Sequence, residues 1–73
     1  MKTYITFGQV HLHEVNGKVL SKDTVAVINC ENANEGRNIA VKLFGKYFCF
    51  SYYEEQFDMD SMKFFPKGFV EVN

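Results

Sequence analysis

Two histidines one residue apart, His11 and His13, are the first side chains in this sequence whose type and spacing offer chemistry. On an extended strand they share a face, an arrangement from which many metal and acid–base sites are built. Two imidazoles meet only half of a structural zinc site, and Glu14 would point to the other face. No bound metal is therefore expected. Exposure or an interface is the plainer role for the pair, with ligand contact as the sharper one. Arg37 is the only arginine. A guanidinium beside the free amides of a helix start binds phosphate or carboxylate by fork and dipole together. Its ordinary alternatives are an ion pair with Glu31 or Glu35, or a stem laid over a sheet. Glu54, Glu55, Asp58 and Asp60 form an acidic run. Such runs are usually solvated loops; as a function, this one would imitate the charge of nucleic acid and occupy a basic groove on a partner protein.

No Ser/His/Asp or Cys/His constellation is readable, and there is neither a Walker loop nor a dinucleotide fingerprint. Neither catalysis nor a cofactor is expected. Cys30 and Cys49 lie in strand-like apolar runs with no CxxC pair. They read as two reduced, buried thiols of a cytoplasmic protein, with a Cys30–Cys49 disulfide as the alternative. Eight basic residues stand against nine acidic ones, for a formal net charge of −1, and the two signs are interspersed. That argues against non-specific nucleic-acid binding, which needs a basic stripe. Met1-Lys2 runs into an alternating pattern rather than an apolar signal core, so no signal peptide is expected. No apolar run approaches the length of a membrane span.

The elements that must position these residues centre on one helix. Over Asn32–Gly45, at 100° per residue, Ala33, Gly36, Ala40, Leu43 and Phe44 share an apolar stripe, while Asn34, Glu35, Asn38 and Lys42 face away. Asn32 and Glu35 have the form of a capping box, and Gly45 stands where a left-handed C-terminal cap is wanted. Small residues lead the stripe and large ones end it, so the helix approaches a sheet closely at one end and wedges Leu43 and Phe44 into it at the other. Upstream, Lys2–Val15 alternates with a change of parity at Gly8-Gln9. A bulge there is expected, because glycine tolerates one best: it would return Ile5, Phe7, Val10 and Leu12 to one face and place Tyr4, His11 and His13 on the other; the alternative is a strand buried on both sides.

Asn16-Gly17 marks a two-residue hairpin turn, because type I′ geometry needs positive φ at both positions. The return strand covers Lys18 to about Glu31, with a break near Ser21–Asp23. After the helix, Lys46–Tyr53 reads as a central strand with Phe48, Phe50 and Tyr52 on one face. Glu54–Lys67 is too irregular for a strand; a helical turn or loop is expected, dipping Phe57, Met59 and Phe64 or Phe65 into the core. Gly68 releases a final strand, Phe69–Val72. Residues 1–73 thus form one α+β domain: a small antiparallel sheet of about four strands with one helix packed on one face, in the order β-β-α-β-β.

A core this small rarely contributes more than about 3–5 kcal/mol net. Eight Phe and four Tyr in 73 residues are hard to hide in a monomer. A homo-oligomer built from dimers is therefore expected, its interface covering some of the rings.

Three patches carry a resemblance. They are Y-I-T-F-G-Q-V-H-L-H (Tyr4–His13), E-G-R-N-I-A-V-K-L-F-G (Glu35–Gly45) running into Y-F-C-F-S-Y (Tyr47–Tyr52), and F-F-P-K-G (Phe64–Gly68). Together they cover about half the chain, and they resemble a family of small bacteriophage and mobile-element proteins. Gly36 replaces that family's alanine before Arg37, and Phe48 stands where it often has tryptophan. The resemblance implies a phage protein working in the host cytoplasm. Phage proteins of this size commonly counter bacterial immunity, by sequestering a nucleotide signal or by masking a defence protein; a structural or regulatory accessory role is the further alternative. For sequestration, the expected site for an anionic, nucleotide-like ligand (a cyclic dinucleotide or ADP-ribose type) combines Phe7, Gly8, Gln9, His11, His13, Arg37 and Tyr52, completed by a second subunit. A protein-binding inhibitor would instead act through Glu54–Phe65.

Overall fold

The order of strands in the sheet is decided by where the chain turns. In the computed structural model, which describes residues 1–73, strand β1 runs over Lys2–Thr6 and then leaves the sheet. The Gly8 carbonyl accepts the His11 amide at 3.0 Å, closing a turn. A short hairpin follows, β2 (His13–Val15) and β3 (Lys18–Leu20), joined by Asn16 and Gly17 at φ 53° and 78°. Both positive angles are those the Asn-Gly pair was expected to adopt. Ser21–Asp23 then breaks the strand: the Ser21 amide donates to Thr24 Oγ1 at 2.8 Å, and that hydroxyl donates to the Ser21 carbonyl at 2.8 Å. Strand β4 covers Thr24–Asn29, helix α1 Ala33–Phe44 and strand β5 Phe50–Tyr53. A 3-10 helix over Met59–Phe64 precedes strand β6, Gly68–Glu71.

The main sheet has the order β5-β1-β4-β6, and the β2–β3 hairpin forms a second, two-stranded sheet. β1 is antiparallel to both β4 and β5, whereas β6 lies parallel to β4. The sheet is therefore mixed, not wholly antiparallel. Three strands, β4, β5 and β6, run in one direction, so two crossovers are required. Helix α1 carries the chain across one face from β4 to β5; residues 54–67 carry it back across the opposite face to β6. Opposite directions on opposite faces give the two crossovers the same hand.

That path makes β1 a central strand. Thr3 through Phe7 are all buried. Ile5 and Phe7 pack with Ala26, Ile28, Ala40 and Phe44 on the helix side. Tyr4 packs with Val25, Val27 and Phe57 on the other. No bulge carries β1 through Gly8, and Val10 and Leu12 are 90% and 70% exposed rather than on the core face. The strand buried on both sides is what forms, because the 54–67 crossover gives β1 a second covered face. β5, expected to be central, is an edge strand and starts only at Phe50; Phe48 turns instead to the helix side, against Phe44.

The helix follows its local chemistry. Asn32 Oδ1 accepts the Glu35 amide at 2.9 Å, while Glu35 Oε1 reaches past Asn32 to accept the Glu31 amide at 3.0 Å. Gly45, at φ 62°, donates its amide to the Val41 carbonyl at 2.8 Å. The buried residues are Gly36, Ala40 and Phe44, spaced four apart. Burying Phe44 contributes about 1.5–3 kcal/mol relative to leaving it in water. Leu43, expected beside it, is 37% exposed: one α-helical step rotates it off the narrow face that the β1–β4 pair covers.

Both sheet edges carry a polar cap. On β5, the Tyr53 amide donates to Gln56 Oε1 at 3.2 Å and the Tyr53 carbonyl accepts the Gln56 amide at 3.0 Å. On β6, Lys18 Nζ donates to the Glu71 carbonyl at 2.9 Å. Such caps occupy backbone groups that would otherwise template another strand. The two covered sheet faces also absorb many of the rings; Tyr47, Phe50, Tyr53, Phe64 and Phe69 stay exposed.

Candidate binding groove

Strand alternation places Phe50 opposite Thr6 and Tyr52 opposite Tyr4, so these two of the three β5 rings stand on the sheet face away from helix α1. The turn at Tyr53–Gln56 then sends Phe57 back over that face. Its ring lies 4.9 Å from Tyr4 and 5.6 Å from Tyr52, the latter edge-on at 70°. Asp58 starts the 3-10 helix by accepting the Asp60 amide at 2.9 Å, and the helix sets Ser61 and Phe64 opposite β5. Between the two walls is an open groove of about 380 Å³, with Phe57 and Phe65 deeper and Phe50 and Phe64 at its mouth. Thr6, Phe7 and Cys49 close one end.

The electrostatics of this groove are one-sided. Asp58 is its only charged lining residue, and no lysine, arginine or histidine contributes to its wall. The remaining acids of the 54–60 run, Glu54, Glu55 and Asp60, are exposed nearby along the same segment. Lys63 is the cation closest in sequence to the mouth, its Nζ 5.2 Å from the centroid of the Phe64 ring. A second, polar-rimmed depression on the same face involves Lys2, Tyr4, Val27, Met59, Phe69 and Glu71.

The seven residues expected to form a ligand site fall into three places. Phe7 and Tyr52 both touch the groove, although Phe7 is mostly buried against Phe44 at 5.1 Å, edge-on. Gly8, Gln9, His11 and His13 belong to the turn and hairpin beyond its end. The Gly8 amide donates to His11 Nδ1 at 3.1 Å, and His13 Nε2 donates to the Tyr47 carbonyl at 2.8 Å. The network therefore assigns the Nε2–H tautomer to both rings. His13 also packs on Phe44 and Phe7, with centroids at 5.1 and 5.5 Å. These contacts fasten the β2–β3 hairpin to the loop after α1. Gln9 is exposed in the turn.

Arg37 lies elsewhere. It is exposed near the start of α1, about 10 Å along the helix axis from Phe44 and the histidines beside it. It pairs with neither Glu31 nor Glu35; the single ion pair of the chain is Lys22–Asp23 at 4.0 Å. Phe50, read from the sequence only as part of a strand face, and Ser61, read only as part of the Glu54–Phe65 segment, are both groove residues. The Phe50-x-Tyr52 spacing was the available signal for the first; nothing local marks Ser61.

Both cysteines are free. Cys30 is buried, with Sγ 3.5 Å from Thr3 Oγ1 and from the Met1 carbonyl. Cys49, expected to be buried, is exposed, because β5 lies at the sheet edge and begins one residue later. No three His, Cys, Asp or Glu side chains cluster closely enough to hold a metal ion. No helix is long and apolar enough to cross a membrane. Compared with protein-family models, curated proteins and solved structures, the chain shows no match.

Proposed function

We propose that this chain is a non-catalytic binding module that docks on a partner protein through the aromatic groove between β5 and the 3-10 helix. The observation that carries this is the mouth of the groove: Phe50 and Phe64 are 58% and 66% exposed on either side of it. Their apolar surface is costly to leave in water and is placed where a partner would cover it. Acidic residues lie in and next to the groove, so a partner with a basic, partly apolar surface fits it best. Of the two counter-defence roles opened by the resemblance to phage proteins, this geometry supports masking of a host defence protein. Sequestration of an anionic nucleotide has less support, since Arg37 stands apart from the histidines and the groove wall holds no cation.

The test compares three proteins in host cells: the natural chain, a Phe50→Ser/Phe64→Ser double variant, and Arg37→Ala. All the substituted side chains are exposed, so each variant is expected to fold, which circular dichroism checks. A host protein that co-purifies with the natural chain should be lost with the double variant and kept with Arg37→Ala. Equal recovery with all three would remove the groove from the function. Calorimetry with cyclic dinucleotides and ADP-ribose provides the opposing arm: tight binding abolished by Arg37→Ala would favour sequestration.

A further inference from the structure

The groove combines two kinds of recognition that together select one chemical class. Its rings present π-faces at large mutual angles: Phe50 and Tyr52 are tilted by 42° at 6.0 Å, and Tyr52 and Phe57 are crossed at 70° at 5.6 Å. Packed on one another at these distances, the rings form an aromatic lining rather than an enclosing cage, with Phe50 and Phe64 the exposed faces, and each ring face carries negative quadrupolar potential. Asp58 adds a formal negative charge in the same wall, and no basic side chain there neutralises it. Only one of its carboxylate oxygens, Oδ1, is engaged by the Asp60 amide. A neutral apolar occupant would use the rings and leave the exposed carboxylate to water; an anion would be repelled by both. An organic cation uses both.

Resting on the proposal that the groove docks a partner protein, we infer that its occupant is an arginine side chain of that partner. A guanidinium is flat, stacks on aromatic faces and is less strongly hydrated than an ammonium. Its fork of donors reaches the free Asp58 oxygen and the Ser61 hydroxyl while its plane lies against a ring. The groove volume of about 380 Å³ exceeds that side chain, leaving room for flanking residues of the partner. Lys63, 5.2 Å over the Phe64 ring, already makes a cation–π contact of this kind at the rim.

The test uses defined probes on the intact chain. N-acetyl-arginine methylamide and its neutral isostere, N-acetyl-citrulline methylamide, are titrated against the ¹⁵N-labelled protein. Citrulline keeps the planar, hydrogen-bonding shape and removes the charge. Arginine should shift the amides of Phe50, Gln56, Phe57 and Ser61 in a saturable way, and citrulline should bind about fivefold or more weakly. Asp58→Asn keeps an acceptor for the Asp60 amide, so the 3-10 helix should remain, and it should narrow the arginine-to-citrulline ratio toward one. Phe50→Leu keeps an apolar side chain without a π-face and should also weaken arginine binding. Equal binding of the two probes in the groove would overturn the cation preference while leaving an apolar docking groove in place. Arginine shifts that map elsewhere, or no shifts at all, would overturn the inference outright. Loss of partner capture in the Phe50→Ser/Phe64→Ser variant is a separate readout, so the two ideas fail separately.

Discussion

Gly36 of helix α1 lies directly over Thr3 of β1, with no room for a side chain between them. A Cβ at position 36 would overlap Thr3 Oγ1, stand 2.9 Å from Thr3 Cβ and lie 3.0 Å from Cys30 Sγ. This contact sets the distance of the helix from the sheet at its N-terminal end. In an exposed helix, alanine would be favoured over glycine by about 1 kcal/mol. Here overpacking opposes it, and Gly36→Ala should be net destabilising by about 1–3 kcal/mol. Chemical denaturation checks this. Thr3→Ala in the same chain should recover part of the loss, because it removes the closest atom; a strictly additive double variant would show that the two residues do not meet.

The cap at the other side of that contact is separable from it. Asn32→Ala removes the acceptor for the Glu35 amide and should cost about 1 kcal/mol, whereas Asn32→Asp should be close to neutral. Unchanged denaturation midpoints for both would place the helix start elsewhere.

Phe57 and Phe64 belong to the same crossover segment and have opposite surroundings. Phe57 is 8% exposed and plugs the sheet face against Tyr4, Tyr52 and Phe69. Its replacement by alanine should cost about 3–5 kcal/mol. Phe64→Ser, at the exposed mouth of the groove, should stay within about 0.5 kcal/mol of the natural chain. Comparable losses from both would mean that Phe64 is core and not a binding surface.

His13 joins the hairpin to the loop after α1 through the Tyr47 carbonyl and two phenyl rings. His13→Ala should cost about 1–3 kcal/mol from the lost hydrogen bond and packing, and should raise amide exchange in β2 and β3 before the main sheet. Val10→Ser, in the turn before β2 and 90% exposed, is the control and should change little. Uniform exchange across both sheets would show that the hairpin is not a separate unit.

The two thiols should differ sharply toward a polar thiol reagent. Cys49 should react in the native state, and Cys30 only once the chain unfolds, since Cys30 is covered by Thr3 and the chain start. Two fast-reacting thiols in the native protein would contradict the packing of β1 under α1.

Much of the local architecture was legible in the residues because it depends on atoms close along the chain. The Asn32 cap, the Gly45 terminator, the Asn16-Gly17 turn and the Ser21–Thr24 break are all settled by groups within about four residues of one another. Strand order is of another kind. Pairing Lys2 with Asn29 and Thr24 with Gly68 joins segments far apart in sequence, and no local pattern encodes such pairs. Whether Ile5 and Tyr4 could both be buried depended on the 54–67 crossover covering the second face; until that cover is known, a bulge at Gly8 explains the same alternation. The same holds for the site. Phe7, the histidines and Arg37 are each placed by their own element, but helix α1 runs along β1 with Gly36 over Thr3 and Phe44 beside Phe7. That direction puts Arg37 at one end and the histidines at the other, and only the packed sheet and helix could decide it.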